Sequence, residues 1–134
     1  MQRDHWTFIG QIDCFGIEPQ LRDRLLAHAQ RVAAREGGEL QLAKAADQYY
    51  TDRYDLHCDL PGHPEPFHRF LAALAQNLPP EHEPIIIEAY DRANMQREDL
   101  IIRRNQMTCR PYVWQPAAER PMYEDAEDTG VRAA

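Results

Sequence analysis

Residues 5 to 15, HWTFIGQIDCF, alternate apolar and polar positions with period two: Trp6, Phe8, Ile12 and Cys14 fall on one side, Thr7, Gln11 and Asp13 on the other. Period two is the repeat of the pleat, so the segment predicts a strand with one face on a core. Gly10 interrupts the apolar side and predicts a bulge or a close approach of a helix. The period then changes. From Pro19 onward, Leu21, Leu25, Ala29 and Val32 form one helical stripe, with Arg22, Arg31 and Arg35 largely outside it. Pro19 suits a first helical turn, where its missing N–H costs nothing. Gly37 and Gly38 suit the end, where a left-handed residue is needed.

Alternation returns in ELQLAKA (39–45) and in QYYTDRYDLHC (48–58), where Tyr50, Tyr54, Leu56 and Cys58 face one way and Tyr49, Arg53, Asp55 and His57 the other. LPGHPEP (60–66) predicts a proline-rich connection. In PFHRFLAALAQNL (66–78), Phe67, Phe70, Leu71, Leu74 and Leu78 recur at helical spacing, the clearest amphipathic pattern in the chain. IIIEAY (85–90) is a β-branched run suited to an interior strand. After the polar DRANMQRED (91–99), LIIRR and MTCRPYVW predict two more strands joined near Asn105, with Pro111 putting the last at an edge or bulge.

The order strand, helix, strand, strand, helix, strand matches the split βαβ arrangement of ferredoxin-like domains, here with a C-terminal β-hairpin added. The expectation is an α+β fold: a mostly antiparallel sheet with two helices on one face. Residues 1–115 form one domain on this reading. Residues 116–134 carry five acids and two arginines and predict a flexible acidic tail. The uncovered sheet face would present Ile9, Tyr49, Arg53, His57, Ile86, Tyr90 and Tyr112, a set more apolar than solvation requires. The added hairpin folding across that face is the alternative way of burying it.

Charge narrows the function classes. The net charge is −7, so nonspecific DNA binding, which needs a basic patch against phosphates, is disfavoured. Fourteen arginines against one lysine, Lys44, suggest a GC-rich bacterial or phage genome. No apolar run approaches the roughly 18 residues of a membrane span, and the N-terminus lacks the pattern of a secretory signal. Three cysteines, Cys14, Cys58 and Cys109, cannot all pair within one chain, and reduced thiols in the cytoplasm are the expectation.

The stretch LHCDLPGHPEPFH (56–68) holds a cysteine and three histidines. Adjacent strand residues point to opposite faces, so His57 and Cys58 would not bind one ion, and His63 and His68 fall on a loop and a helix. Neither a metal nor another cofactor is expected. The cysteines lie on or beside apolar strand faces, where thiols act as small hydrophobes, so no catalytic residue is assigned. Arg92, Arg97, Arg103, Arg104 and Arg110 interleave with Tyr90, Tyr112 and Trp114. Such a pattern could bind single-stranded RNA by stacking, but Asp91, Glu98 and Asp99 offset the charge.

Arg, Tyr and Trp are also the residue types of protein interfaces. The leading expectation is therefore a small acidic non-catalytic protein acting by docking. The docking set is Tyr49, Arg53, His57, Tyr90, Arg103, Arg104, Arg110, Tyr112 and Trp114. By size and charge it suits an inhibitor, such as a toxin immunity protein or a phage anti-CRISPR, against a basic or nucleic-acid-processing partner. A homodimer packing sheet to sheet is a further use of the same face. The rival from another class is a small enzyme or ligand-binding protein with a pocket between helix and sheet near Asp13, His57 and Glu88.

Overall fold

A computed structural model describes residues 4–45 and 52–112. The elements are β1 (His5–Asp13), α1 (Pro19–Arg35), β2 (Glu39–Lys44), β3 (Arg53–Pro61), α2 (Glu65–Gln76), β4 (Ile85–Asp91), β5 (Gln96–Arg103) and β6 (Gln106–Tyr112). The six strands form one antiparallel sheet in the order β2-β3-β1-β4-β5-β6. β1 lies between β3 and β4 and is antiparallel to both. Hence β1 and β2, joined through α1, run parallel with β3 between them, while β3 and β4, joined through α2, run parallel with β1 between them. The fold is α+β, with two helices on an antiparallel sheet.

Both helices lie on the face that carries Phe8, Ile12, Leu56, Cys58, Leu60, Ile87 and Ile102, which cluster with Ala29, Ala33, Phe67, Phe70, Leu71 and Leu74 of the helices. α2 follows its sequence stripe closely: Phe67, Phe70, Leu71 and Leu74 are buried, as is Leu78 just past its end. In α1 the buried residues are Leu26, Ala29, Val32 and Ala33, while Leu21 and Leu25 pack at the margin of the core. Its N-terminus is held by the Glu18 carboxylate, which accepts from the Gln20 and Leu21 amides at 3.1 Å. Pro19 occupies the first turn, and Gly37, with φ of 80°, ends the helix.

Four sequence expectations are corrected. Gly10 is not at a bulge, and its nearest neighbour is a strand and not a helix. The pairing runs through it without interruption, and a Cβ there would lie 2.8 Å from Ile87 Cδ1 and 2.9 Å from the Ile86 carbonyl, so the close neighbour is β4. β3 continues to Pro61, inside the segment expected to be a connection; β2 begins at Glu39, opposite Asp59, and does not reach Pro61, so no strand on that side needs the proline's absent N–H. β5 begins at Gln96, not Leu100. Its first residues are polar on both faces, which hid the alternation. Finally, the β5–β6 hairpin continues the sheet beyond β4 and does not fold across the open face.

Two tight turns build that extension. Asp91 accepts from the Asn94 amide at 3.2 Å and from its side chain at 2.8 Å, and Met95 takes a φ of 55° before β5 starts. Arg103 and Gln106 face each other across Arg104 and Asn105, and the Asn105 amide donates to the Ala75 carbonyl at the end of α2. Hydrogen-bonded and non-bonded pairs alternate along an antiparallel ladder. Counted from the Arg103–Gln106 pair closing the turn, Pro111 falls where the backbone points outward from the sheet, and the edge strand tolerates it.

The core makes two predictions. Phe8→Ala should cost about 3–5 kcal/mol in urea denaturation, as a large ring removed from a packed centre. Gly38→Ala should cost about 1–3 kcal/mol, because its Cβ would collide with the Asp59 carbonyl of β3.

Candidate functional site

The pleat puts one residue of each pair of neighbours on the face away from the helices. On β1 these are Thr7, Ile9, Gln11 and Asp13; on β3, Asp59, His57, Asp55 and Arg53. β4 adds Tyr90, Glu88 and Ile86, paired in turn with Arg97, Asp99 and Ile101 of β5. β6 adds Tyr112, Arg110 and Thr108 opposite the same three. Cross-strand registry therefore converts residues scattered over the chain into one corner of the open face.

That corner is a ladder of guanidinium groups and phenol rings. The Arg97 guanidinium lies 4.8 Å from the Tyr112 ring centroid and 5.6 Å from that of Tyr90, within cation–π range of both. It also reaches Glu88 Oε1 at 2.8 Å and Asp99 Oδ1 at 3.2 Å. Asp99 is only 9% exposed and accepts from Arg110 at 3.4 Å as well. Two arginines thus share two carboxylates, one of them buried.

Arg92 differs. Its guanidinium lies 5.6 Å from the Tyr90 centroid, and its Nε donates to the Thr7 hydroxyl at 3.2 Å. Thr7 donates in turn to Asp59 Oδ1 at 2.8 Å. Among the described residues Arg92 makes no ion pair. Beside it a hollow of about 830 Å³ opens at the end of the sheet, lined among others by Trp6, Tyr90, Arg92, Met95, Arg97 and Tyr112. Met95 is 89% exposed, held out by the left-handed turn. A second hollow, of about 470 Å³, lies between the end of α1 and the start of α2 and includes His63 and the exposed Glu65–Arg69 pair.

Of the residues expected to dock, Tyr90, Arg110 and Tyr112 converge on this corner. Arg103 and Arg104 sit at the other end of β5, about 20 Å away along the strand. Arg53 is at that far end too, 3.8 Å from Asp13, and His57 lies mid-face, 3.7 Å from Asp59. Tyr49 and Trp114 lie outside the described residues. Trp6 and Met95 were absent from the expected set. Trp6 reads from the sequence as a core residue, but it is only partly buried and packs at the margin of the cluster.

The rival pocket does not assemble where it was expected. Asp13, His57 and Glu88 point away from the helices, and none lines either hollow. His57 and Glu88 flank Ile9, Asp13 lies four residues further along β1, and Glu88 and Asp13 are engaged by arginines.

The cysteine–histidine stretch is dispersed as the pleat requires. Cys58 is buried under the helices, His57 lies on the open face, and His63 is exposed, 3.9 Å from Asp4. Among the described residues no three His, Cys, Asp or Glu side chains group as a metal site would require. His68, on the first turn of α2, turns toward β1. It meets Trp6 and Phe8 edge-on at 6.4 and 6.0 Å, and its buried Nε2 has no hydrogen-bond partner. Burial lowers its pKa, against the opposing pull of Glu98 and Glu65.

Burial pushes the thiols of Cys14 and Cys58 up to about 12. Cys109 is exposed overall, yet it too rises to about 11, through desolvation first and then its hydrogen bond to Glu98 Oε2 at 2.9 Å. All three are therefore protonated near neutral pH, which is poor ground for nucleophilic catalysis.

Two measurements follow. Alkylation of the native chain at pH 8 should modify Cys109 alone and slowly, with all three thiols reacting in denaturant; Glu98→Gln should speed the Cys109 reaction several-fold by removing a carboxylate that opposes the thiolate. Because the folded His68 pKa lies below its ordinary value of about 6.5, the unfolded chain binds the extra proton first. Stability should thus be full above about pH 6.5 and decline as pH falls toward the lowered value. His68→Phe should flatten that decline in pH-dependent melting.

No protein-family model matches the chain, and no curated protein or solved structure matches it either.

Proposed function

We propose that the protein is a non-catalytic module that docks on another protein through the open face of its sheet, centred on the corner formed by Tyr90, Arg97, Arg110 and Tyr112. The observation that carries this reading is the Arg97 guanidinium set beside two tyrosine rings and anchored by Glu88 and Asp99. Interface hot spots are rich in arginine and tyrosine, and holding them in place beforehand reduces the ordering entropy lost on association. The strand order and the two parallel pairs, each with an antiparallel strand between, support reading the first six elements as the split βαβ arrangement of ferredoxin-like domains. Such domains leave one sheet face uncovered, which suits the docking role.

Inhibition of the partner, in the manner of an immunity or anti-CRISPR protein, is the role we favour from the chain's size and its charge of −7. Single-stranded RNA binding is less well supported, because Arg97 and Arg110 are already neutralised by Glu88 and Asp99.

The test is a photo-crosslinking residue placed at Tyr112 and, separately, at His28 on the exposed side of α1. Crosslinks to a discrete protein from Tyr112 alone support the reading. With that protein in hand, Arg110→Ala with Tyr112→Ala should weaken binding at least tenfold, about 1.4 kcal/mol, while the chain still melts in one cooperative transition at a somewhat lower temperature, since Arg97 still holds Asp99. Equal crosslinking from α1, or turnover of a substrate that ignores these substitutions, would overturn it.

A further inference from the structure

The hollow beside the Arg–Tyr corner carries a more specific reading, which rests on the docking proposal above. Its walls are unlike the rest of the open face: Trp6, Tyr90, Met95, Pro111 and Tyr112 supply apolar and aromatic surface, and Arg92 supplies charge. The three arginines here are not equivalent. Arg97 and Arg110 are neutralised by Glu88 and Asp99. Arg92 has its Nε fixed on Thr7 and its plane near Tyr90, which leaves its terminal nitrogens without an acidic partner among the described residues. Thr7 is 1% exposed and itself hydrogen-bonded to Asp59, so the anchor of Arg92 is a buried one.

We infer that this hollow takes a short acidic peptide segment of the partner, with one Asp or Glu carboxylate on Arg92 and a neighbouring apolar side chain between Trp6, Met95 and Tyr112. With Nε engaged by Thr7, the Nη1/Nη2 edge of the guanidinium is left to meet a carboxylate in bidentate fashion. The volume of about 830 Å³ holds several side chains, more than one ion needs. The surroundings also select against a polyanion. Glu88, Asp91, Glu98 and Asp99 stand in or beside the same corner, so a phosphate backbone running through it would meet four carboxylates. Asp91 accepts from Asn94 and Glu98 from Cys109, so these two carboxylates are engaged by neutral donors, and a peptide that sets a single carboxylate on Arg92 meets less repulsion than a polyanion does.

The probe is a library of random dodecapeptides displayed on phage and selected on the full-length chain, with selected peptides then titrated by fluorescence in a Trp114→Phe background so that Trp6 reports. Expected are sequences enriched in an Asp or Glu beside an aromatic or aliphatic residue, a shift of Trp6 emission on binding, and an affinity loss of at least tenfold on Arg92→Gln. Arg92→Lys, which keeps the charge but not the fork, should recover part of that loss. Enrichment of basic or purely apolar peptides, or acidic peptides that bind Arg92→Gln as well as the parent chain, would overturn the inference. So would a twelve-nucleotide single-stranded oligonucleotide binding in their place with the same dependence on Arg92, or self-association of the chain that disappears with Arg92→Gln. Peptides indifferent to Arg92→Gln but lost on the Arg110→Ala, Tyr112→Ala pair would leave the docking face standing and remove only the acidic segment. Insensitivity to both would remove the two together.

Discussion

The Phe8 ring rests on Phe67 of α2 with 4.5 Å between centroids, and that contact decides which way the pleat of β1 is turned. A strand has only two faces, so committing Phe8 to the helices commits Ile12 with it and sends Thr7, Ile9 and Gln11 the other way. β1 is paired on both sides, with β3 and with β4, so its parity is handed to each neighbour through the register and from them to β2, β5 and β6. A slip of one residue would bury Tyr90 and Arg97 and expose Ile87 and Leu100. The Arg–Tyr corner is in this sense a consequence of one aromatic contact some distance from it.

The corner also shows how charge is managed on a half-solvated sheet. Asp99 is nearly buried, which a lone carboxylate would not tolerate, and two arginines from neighbouring strand positions converge on it. Glu88 takes the remaining reach of Arg97. The tyrosines flank the guanidinium and limit its solvation. Arg92 escapes this arrangement because it sits in the β4–β5 turn, held by a hydroxyl in place of a carboxylate.

Much of the fold was legible because its signals are local. The alternation of β1 and β3 and the stripe of α2 identify buried residues by themselves, and the order of elements restricts the topology to few choices. What escaped depended on partners distant in sequence. The start of β5 was hidden because Gln96 to Asp99 are polar on both faces, and Arg97 and Asp99 are satisfied by ion pairs with each other and with neighbouring strands, which leaves no alternation of polarity to read. His68 lies outside the Phe67, Phe70, Leu71 and Leu74 stripe of its own helix; Trp6 and Phe8, about 60 residues earlier, supply the wall that covers it. The arginines and tyrosines of residues 90–112 stood out as a set, but their division into a convergent group and the remote Arg103 and Arg104 follows from strand direction. Trp6 was read as core because its parity is right; its place at the sheet's end, where the helices give out, is a matter of tertiary extent.

Pro111 closes the structure in a way that reaches beyond docking. A terminal strand normally offers its outward amides and carbonyls as a template on which a further strand can grow, the route by which sheets become fibrils. At Pro111 that template lacks its donor, and the ring projects where an incoming backbone would lie. The margin next to the sticky corner is thereby spoiled for strand addition, so recognition there is left to side chains, and a crowded solution of these molecules is discouraged from polymerising through that margin.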